Sequence, residues 1–111
     1  MRTGTDVEIT EGSVIGISPS GAPESAIDAT GQDAYATIIT PSRACSHILI
    51  SNEGANSVTI SLDAGTTDNI IKVAAASIVA LDGASITAAV AIQAKNQSAG
   101  NNYTDLTITI W

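Results

Sequence analysis

"NSVTISLDAG" (residues 56–65) alternates without a break. Val58, Ile60 and Leu62 fall on one side of an extended chain and Thr59 and Ser61 on the other. Asp63, Ala64 and Gly65 then close the run with turn chemistry: the carboxylate caps its own backbone and the glycine allows positive φ. A period of two over such a run predicts a half-buried antiparallel strand.

Working outward, the same rule repeats. "SHILISN" (46–52) sets Ile48 and Ile50 against His47 and Leu49. "NIIKVAA" (69–75) aligns Ile71 with Val73, and "SIVALDG" (77–83) aligns Val79 with Leu81. "ASITAAVAIQAKN" (84–96) carries Ile86, Ala88, Val90, Ile92 and Ala94 at a spacing of two, which reads as one strand in spite of its alanines. "YTDLTITIW" (103–111) points Leu106, Ile108 and Ile110 inward and Thr107, Thr109 and Trp111 away. Between the runs lie "NEGANS" (52–57), "DAGTTDN" (63–69), "LDGAS" (81–85) and "NQSAGNN" (96–102), all read as turns. The expected fold is all-β: an antiparallel β-sandwich or small barrel of about 7–9 short strands.

The first part of the chain reads differently. "DVEIT" (6–10) and "SVIGIS" (13–18) suggest two short strands. Residues 18–36, rich in Ser, Pro, Gly and Ala, have few large apolar groups to bury and read as a long stretch without regular structure, uncommon in a compact domain unless it is functional or mobile. "ATIIT" (36–40) resumes a strand that Pro41 ends. The expected division is 1–43 for the N-terminal strands and arm and 44–111 for the sandwich core, within a single domain.

Composition narrows the function. The 111 residues carry 11 acidic and 4 basic side chains, a net charge of −7. Arg2, Arg43, Lys72 and Lys95 are scattered singly, so the chain lacks the cationic stripe that displaces counterions from phosphates, and no nucleic-acid partner is expected. The same sign repels anionic membranes, and no apolar run reaches the ~20 residues of a spanning helix. "MRTGTDVEIT" lacks the apolar stretch of a signal peptide, so use without Sec export is expected.

No catalytic centre, metal site or cofactor is expected. Cys45 is the single cysteine and His47 the single histidine. On a regular strand they share a face about 7 Å apart, too far for a dyad, and two ligands do not hold a metal. They read as a core cysteine and a partly buried histidine. Asp63 and Asp68 lack calcium-loop spacing. Asp28 and Asp33 flank "ATGQ" as solvated loop carboxylates, with no apolar pocket to shift a pKa. "ATGQDA" has no lysine to make it a phosphate loop, and "NQS" and "NYT" match only the short N-glycosylation pattern. With Tyr35, Tyr103 and Trp111 as its whole aromatic set, the chain offers a thin platform for sugars. Trp111 either folds over the end of the sandwich or docks on a neighbour, as tryptophan does at interface hot spots.

Together, "ILISNEGANSVTISLDAG" (48–65), "IKVAAASIVALDG" (71–83) and the closing "DLTITIW" (105–111) resemble small β-sandwich virion proteins of tailed bacteriophages, and among those the capsid decoration, or cement, proteins. The resemblance covers roughly residues 44–111 and is one of style rather than motif. It implies a non-enzymatic structural protein, made in the host cytoplasm, that binds the major capsid protein on the outer surface of the head. It also implies a homotrimer that bridges shell subunits with an arm. Expected contacts are Pro19, Pro23 and Ile27 of the arm, with Tyr35, Tyr103 and Trp111. A tail, baseplate or head-fibre component, or a carbohydrate- or host-surface-binding module, is the alternative.

Overall fold

The computed structural model describes residues 23–66 and 68–111. "DVEIT", "SVIGIS" and Pro19 lie outside the described residues. Eight strands follow in order: β1 (Glu24–Thr30), β2 (Ala36–Ile39), β3 (Cys45–Asn52), β4 (Val58–Ser61), β5 (Ile70–Val73), β6 (Ser77–Ile86), β7 (Ile92–Asn96) and β8 (Thr104–Ile110). They form two antiparallel four-stranded sheets, sheet A in the order β1-β8-β3-β6 and sheet B in the order β2-β7-β4-β5. The all-β sandwich read from the sequence is the fold.

The core is what the alternation predicts. Ile48 and Ile50 of β3 and Leu106, Ile108 and Ile110 of β8 are fully buried, against Val58, Ile60, Val73, Ile92 and Ala94 of sheet B. Burying each such aliphatic side chain contributes roughly 1.5–3 kcal/mol. This face therefore fixes the register, since a slip by one residue would turn the whole apolar set to solvent.

Five local expectations are corrected. Residues 24–30 belong to the sandwich rather than to an arm: β1 pairs with β8 from Glu24↔Ile110 to Thr30↔Thr104. Its inward positions carry Glu24, Ala26 and Asp28, so no apolar pattern announced it. The carboxylates are satisfied instead. Glu24 accepts the Ser42 hydroxyl and the Ser42 N–H (3.1 Å) and faces Arg43 (3.5 Å). Asp28 accepts the Tyr103 hydroxyl (2.7 Å).

"LDGAS" is not a turn. β6 runs straight through it, and Gly83, at φ +84°, absorbs a register shift between the pairs His47↔Asp82 and Cys45↔Ile86. The turn comes later, within "ITAAVAIQAK". There Ala89 takes φ +65°, its N–H donates to the Pro41 carbonyl (2.9 Å), and the expected single strand is divided between β6 and β7.

Thr59 and Ser61 are buried as well as Val58 and Ile60. β4 is a central strand, with Lys72 and Lys95 directly across from Thr59 on its two sides. The 63–66 loop folds back so that the N–H groups of Asp63 (3.2 Å) and Gly65 (2.9 Å) donate to Ser61 Oγ.

Cys45 and His47 do not share a face. The N–H groups of Ser46 (3.1 Å) and His47 (3.0 Å) both donate to the Trp111 carbonyl, two residues opposite one. Such a bulge reverses side-chain parity, so Cys45 is buried while His47 turns outward.

Two buried amides lock the loops at one end. Asn96 Nδ2 donates to Asp33 Oδ1 (2.9 Å) and Asn102 Oδ1 (2.7 Å), while its Oδ1 accepts the Tyr103 N–H (3.1 Å). Asn52 Nδ2 donates to the carbonyls of Asn56 (2.9 Å) and Ala74 (3.1 Å), and its Oδ1 accepts the Gly54 N–H (3.2 Å). Both Asn96 amide hydrogens are thus engaged inside the folded protein.

Candidate functional site

The outer face of sheet A is built from the outward positions of four strands. Pairing aligns Ile27 (β1), Thr107 (β8), Ser51 (β3) and Ile78 (β6) in one cross-strand row. The next row is Ser25, Thr109, Leu49 and Ala80. Neither row contains a charge, on a chain of −7. Ile27 is 75% and Ile78 70% exposed, at the two ends of one row. Ser25 Oγ and Thr109 Oγ1 are hydrogen-bonded to each other at 3.0 Å, which reduces the row's appetite for water.

A third row closes the face at one end: Trp111, His47 and Asp82. The indole of Trp111 stacks on the His47 imidazole, ring centroids 5.2 Å apart and planes 8° from parallel. His47 Nε2 lies 2.6 Å from Asp82 Oδ1, and His47 Nδ1 lies 2.9 Å from Ser46 Oγ. The tryptophan therefore folds onto its own sheet, half-exposed, with its ring held by the histidine.

Ser46, His47 and Asp82 together are the parts of a nucleophile–base–orienter relay. Sequence reasoning did not assemble them, because Asp82 reaches His47 only through the β3–β6 register. The surroundings do not suit acyl transfer. The backbone N–H groups of Ser46 and His47 are both held by the Trp111 carbonyl and are not free to serve an oxyanion. The Asp82 side chain is 88% exposed, so its charge acts through water. What the arrangement does is clamp the imidazole flat beneath the indole.

The other expected contact residues are dispersed. Pro23 is exposed at the entry to β1. Tyr35 lies on the opposite side of the sandwich, half-buried, with Lys95 Nζ 4.8 Å from its ring centroid. Tyr103 is no surface residue: it is fully buried, and burial first, then the hydrogen-bonded Asp28 carboxylate, raises its phenol pKa. Ile27 and Trp111 are the two that share a face. Leu49 was read as outward; Ile78 was missed, and its signal was the outward parity of an isoleucine beside inward Val79.

The remaining titratable groups serve the fold. Hydrogen bonds from the Ser42 hydroxyl and N–H, with the nearby Arg43 charge, lower the Glu24 pKa. Those from Asn96 and the Gly100 N–H lower that of Asp33. Burial raises the Cys45 thiol, and Sγ lies 3.5 Å from the Arg43 carbonyl. Asp28 and Asp33 thus hold different partners and form no acid/base pair. Asp63 accepts the Thr66 hydroxyl (3.2 Å), and among the described residues no three His, Cys, Asp or Glu side chains converge. A polar cleft of about 190 Å³ lies between β1 and β2, lined in part by Asp28, Thr30, Gln32 and Thr37.

Comparison with protein-family models, curated proteins and solved structures found no match for this chain.

Proposed function

We propose that this protein is a non-enzymatic structural protein that docks through the outer face of sheet A on a larger assembly. We infer further that the assembly is the head of a tailed bacteriophage, with the major capsid protein as partner. The observation that carries the first part is the pair of uncharged cross-strand rows. An acidic chain repels most acidic surfaces, and two rows of Ile, Leu, Ala, Ser and Thr lower the desolvation cost of contact where charge would raise it. Trp111 supplies a large, partly immobilised anchor at the corner of the face, the kind of residue that dominates interface energies. The capsid setting rests on the sequence resemblance to decoration proteins.

Quantitative mass spectrometry of purified particles tests the setting. Copies near parity with the shell protein are expected. A few copies per particle would move the protein to the tail or a fibre, and absence would remove the virion reading. Leu49→Lys and Trp111→Ala test the face. Each is expected to weaken binding to heads at least tenfold with an unchanged far-ultraviolet spectrum; undiminished binding by both would sink the assignment of this face. Quenching of Trp111 emission by glycans, without head binding, would favour the carbohydrate module.

A further inference from the structure

Among the described residues the sandwich has four edge strands, β1 and β6 in sheet A and β2 and β5 in sheet B. Open edges recruit further strands, and folded proteins blunt them. Three of these are blunted. β2 and β5 have four residues each, and β2 also carries a register shift between Thr37 and Ile39. β1 follows Pro23 and turns two carboxylates, Glu24 and Asp28, to its inward side.

The first half of β6 has none of these devices. "SIVAL" (77–81) contains no charge and no proline, and holds unbroken register with β3 from Asn52↔Ser77 to Ile48↔Leu81. Among the described residues no strand pairs with its far side. Protection begins only at Asp82 and the Gly83 bulge.

We propose that this edge is a self-association site, where two copies pair antiparallel through Ser77–Leu81 about a twofold axis at Val79. The occupant is argued from charge and from the segment itself. Two chains of −7 meet at least electrostatic cost along a neutral stretch. Paired with itself, the segment sets Ile78 across from Ala80 on the outer face, large against small, and Ser77 across from Leu81. Asp82 of each copy falls opposite Ala76 of the other, clear of its like charge. Antiparallel pairing of identical strands is inherently twofold. It would join two four-stranded sheets into one of eight and make their uncharged outer rows continuous. The twofold pair departs from the trimer that the sequence resemblance implies. The pairing is short, so the dimer should form and dissociate with concentration.

Sedimentation of the full chain over a concentration series is the test. The expected result is a monomer–dimer equilibrium, shifted at least tenfold toward monomer by Ile78→Lys and unmoved by Ile27→Lys on the far edge. Ile78 is mostly exposed, so folding of the variant is expected and is checked by circular dichroism. Amide exchange supplies a readout on the unmodified chain, since residues 77–81 should become slower to exchange as concentration rises. A wild-type protein that stays monomeric, one that forms a trimer, or a dimer indifferent to Ile78→Lys would each overturn the pairing. Head binding is a separate readout: a dimer that ignores heads leaves this pairing intact and removes the capsid reading alone.

Discussion

The His47 imidazole and the Trp111 indole lie face to face, 5.2 Å between centroids and 8° from parallel, at the one place where β3 carries an extra residue opposite β8. His47 stands outward by its alternation with buried Ile48, and the bulge brings Ser46 out beside it and turns Cys45 inward. Aromatic pairs of this kind contribute about 0.5–1.5 kcal/mol beyond area burial. His47→Ala should therefore cost about that much in a urea melt. It should also shift the emission of Trp111, the sole tryptophan, to longer wavelength as water replaces the imidazole. Unchanged emission would mean that the pair does not form in solution.

Gly31 sits under the Tyr103 ring. A Cβ built there would lie 2.3 Å from Tyr103 Cδ2 and 2.6 Å from Asn96 Oδ1, both in buried, hydrogen-bonded side chains. Neither can yield freely, so Gly31→Ala should destabilise the fold by about 1–3 kcal/mol, the usual range for overpacking. Tyr103→Phe removes the donor to Asp28 and should cost about 1 kcal/mol. Thermal melts of the two variants check both sizes and their order.

Ala89 holds a left-handed backbone at φ +65° in an exposed turn. A Cβ in that region costs roughly 1–2 kcal/mol, part of which the greater freedom of unfolded glycine offsets. Ala89→Gly should stabilise the protein by about 0.5–1 kcal/mol on that balance. A lower melting temperature would contradict the strain.

Stability should fall in acid. Hydrogen bonding depresses Glu24 and Asp33 from ordinary values of 4.5 and 3.8. The unfolded chain therefore takes up protons at a pH where the folded chain still holds both carboxylates ionised. Their stabilisation is complete above the ordinary values and is lost as pH falls through the lowered ones. Melts between pH 6 and about pH 2 should show this decline, and Glu24→Gln with Asp33→Asn should flatten it.

The buried Cys45 thiol, raised by desolvation, should resist aromatic disulfide reagents in the native state and react fully in denaturant. Rapid native labelling would place it at the surface.

Legibility in the sequence followed the apolar face. Ile48, Ile50, Leu106, Ile108 and Ile110 were placed correctly because one buried side dictates parity. β1 escaped because its inward residues are Glu24, Ala26 and Asp28, whose partners Ser42 and Tyr103 lie 18 and 75 positions away in sequence. The end of β6 escaped because Gly83 within a bulge carries the same residue signal as Gly in a turn. The true turn escaped because alanine at positive φ carries none. On the candidate face, Ile27 and Trp111 were legible as large groups without a core to enter. The match of Ile27 to Ile78 across four strands was not, since it depends on the register of three pairings.

β8 lies between β1 and β3, so the last strand in sequence occupies the interior of its sheet. Among the described residues β8 is the ladder partner of β1, which precedes it in the chain and waits until residues 104–110 emerge, and β3 waits with one side open. Ladder closure across such separations is slow relative to local pairing. A ribosome paused before residue 104 would therefore hold a chain with both slots vacant, and a helper that shields them would act in that interval.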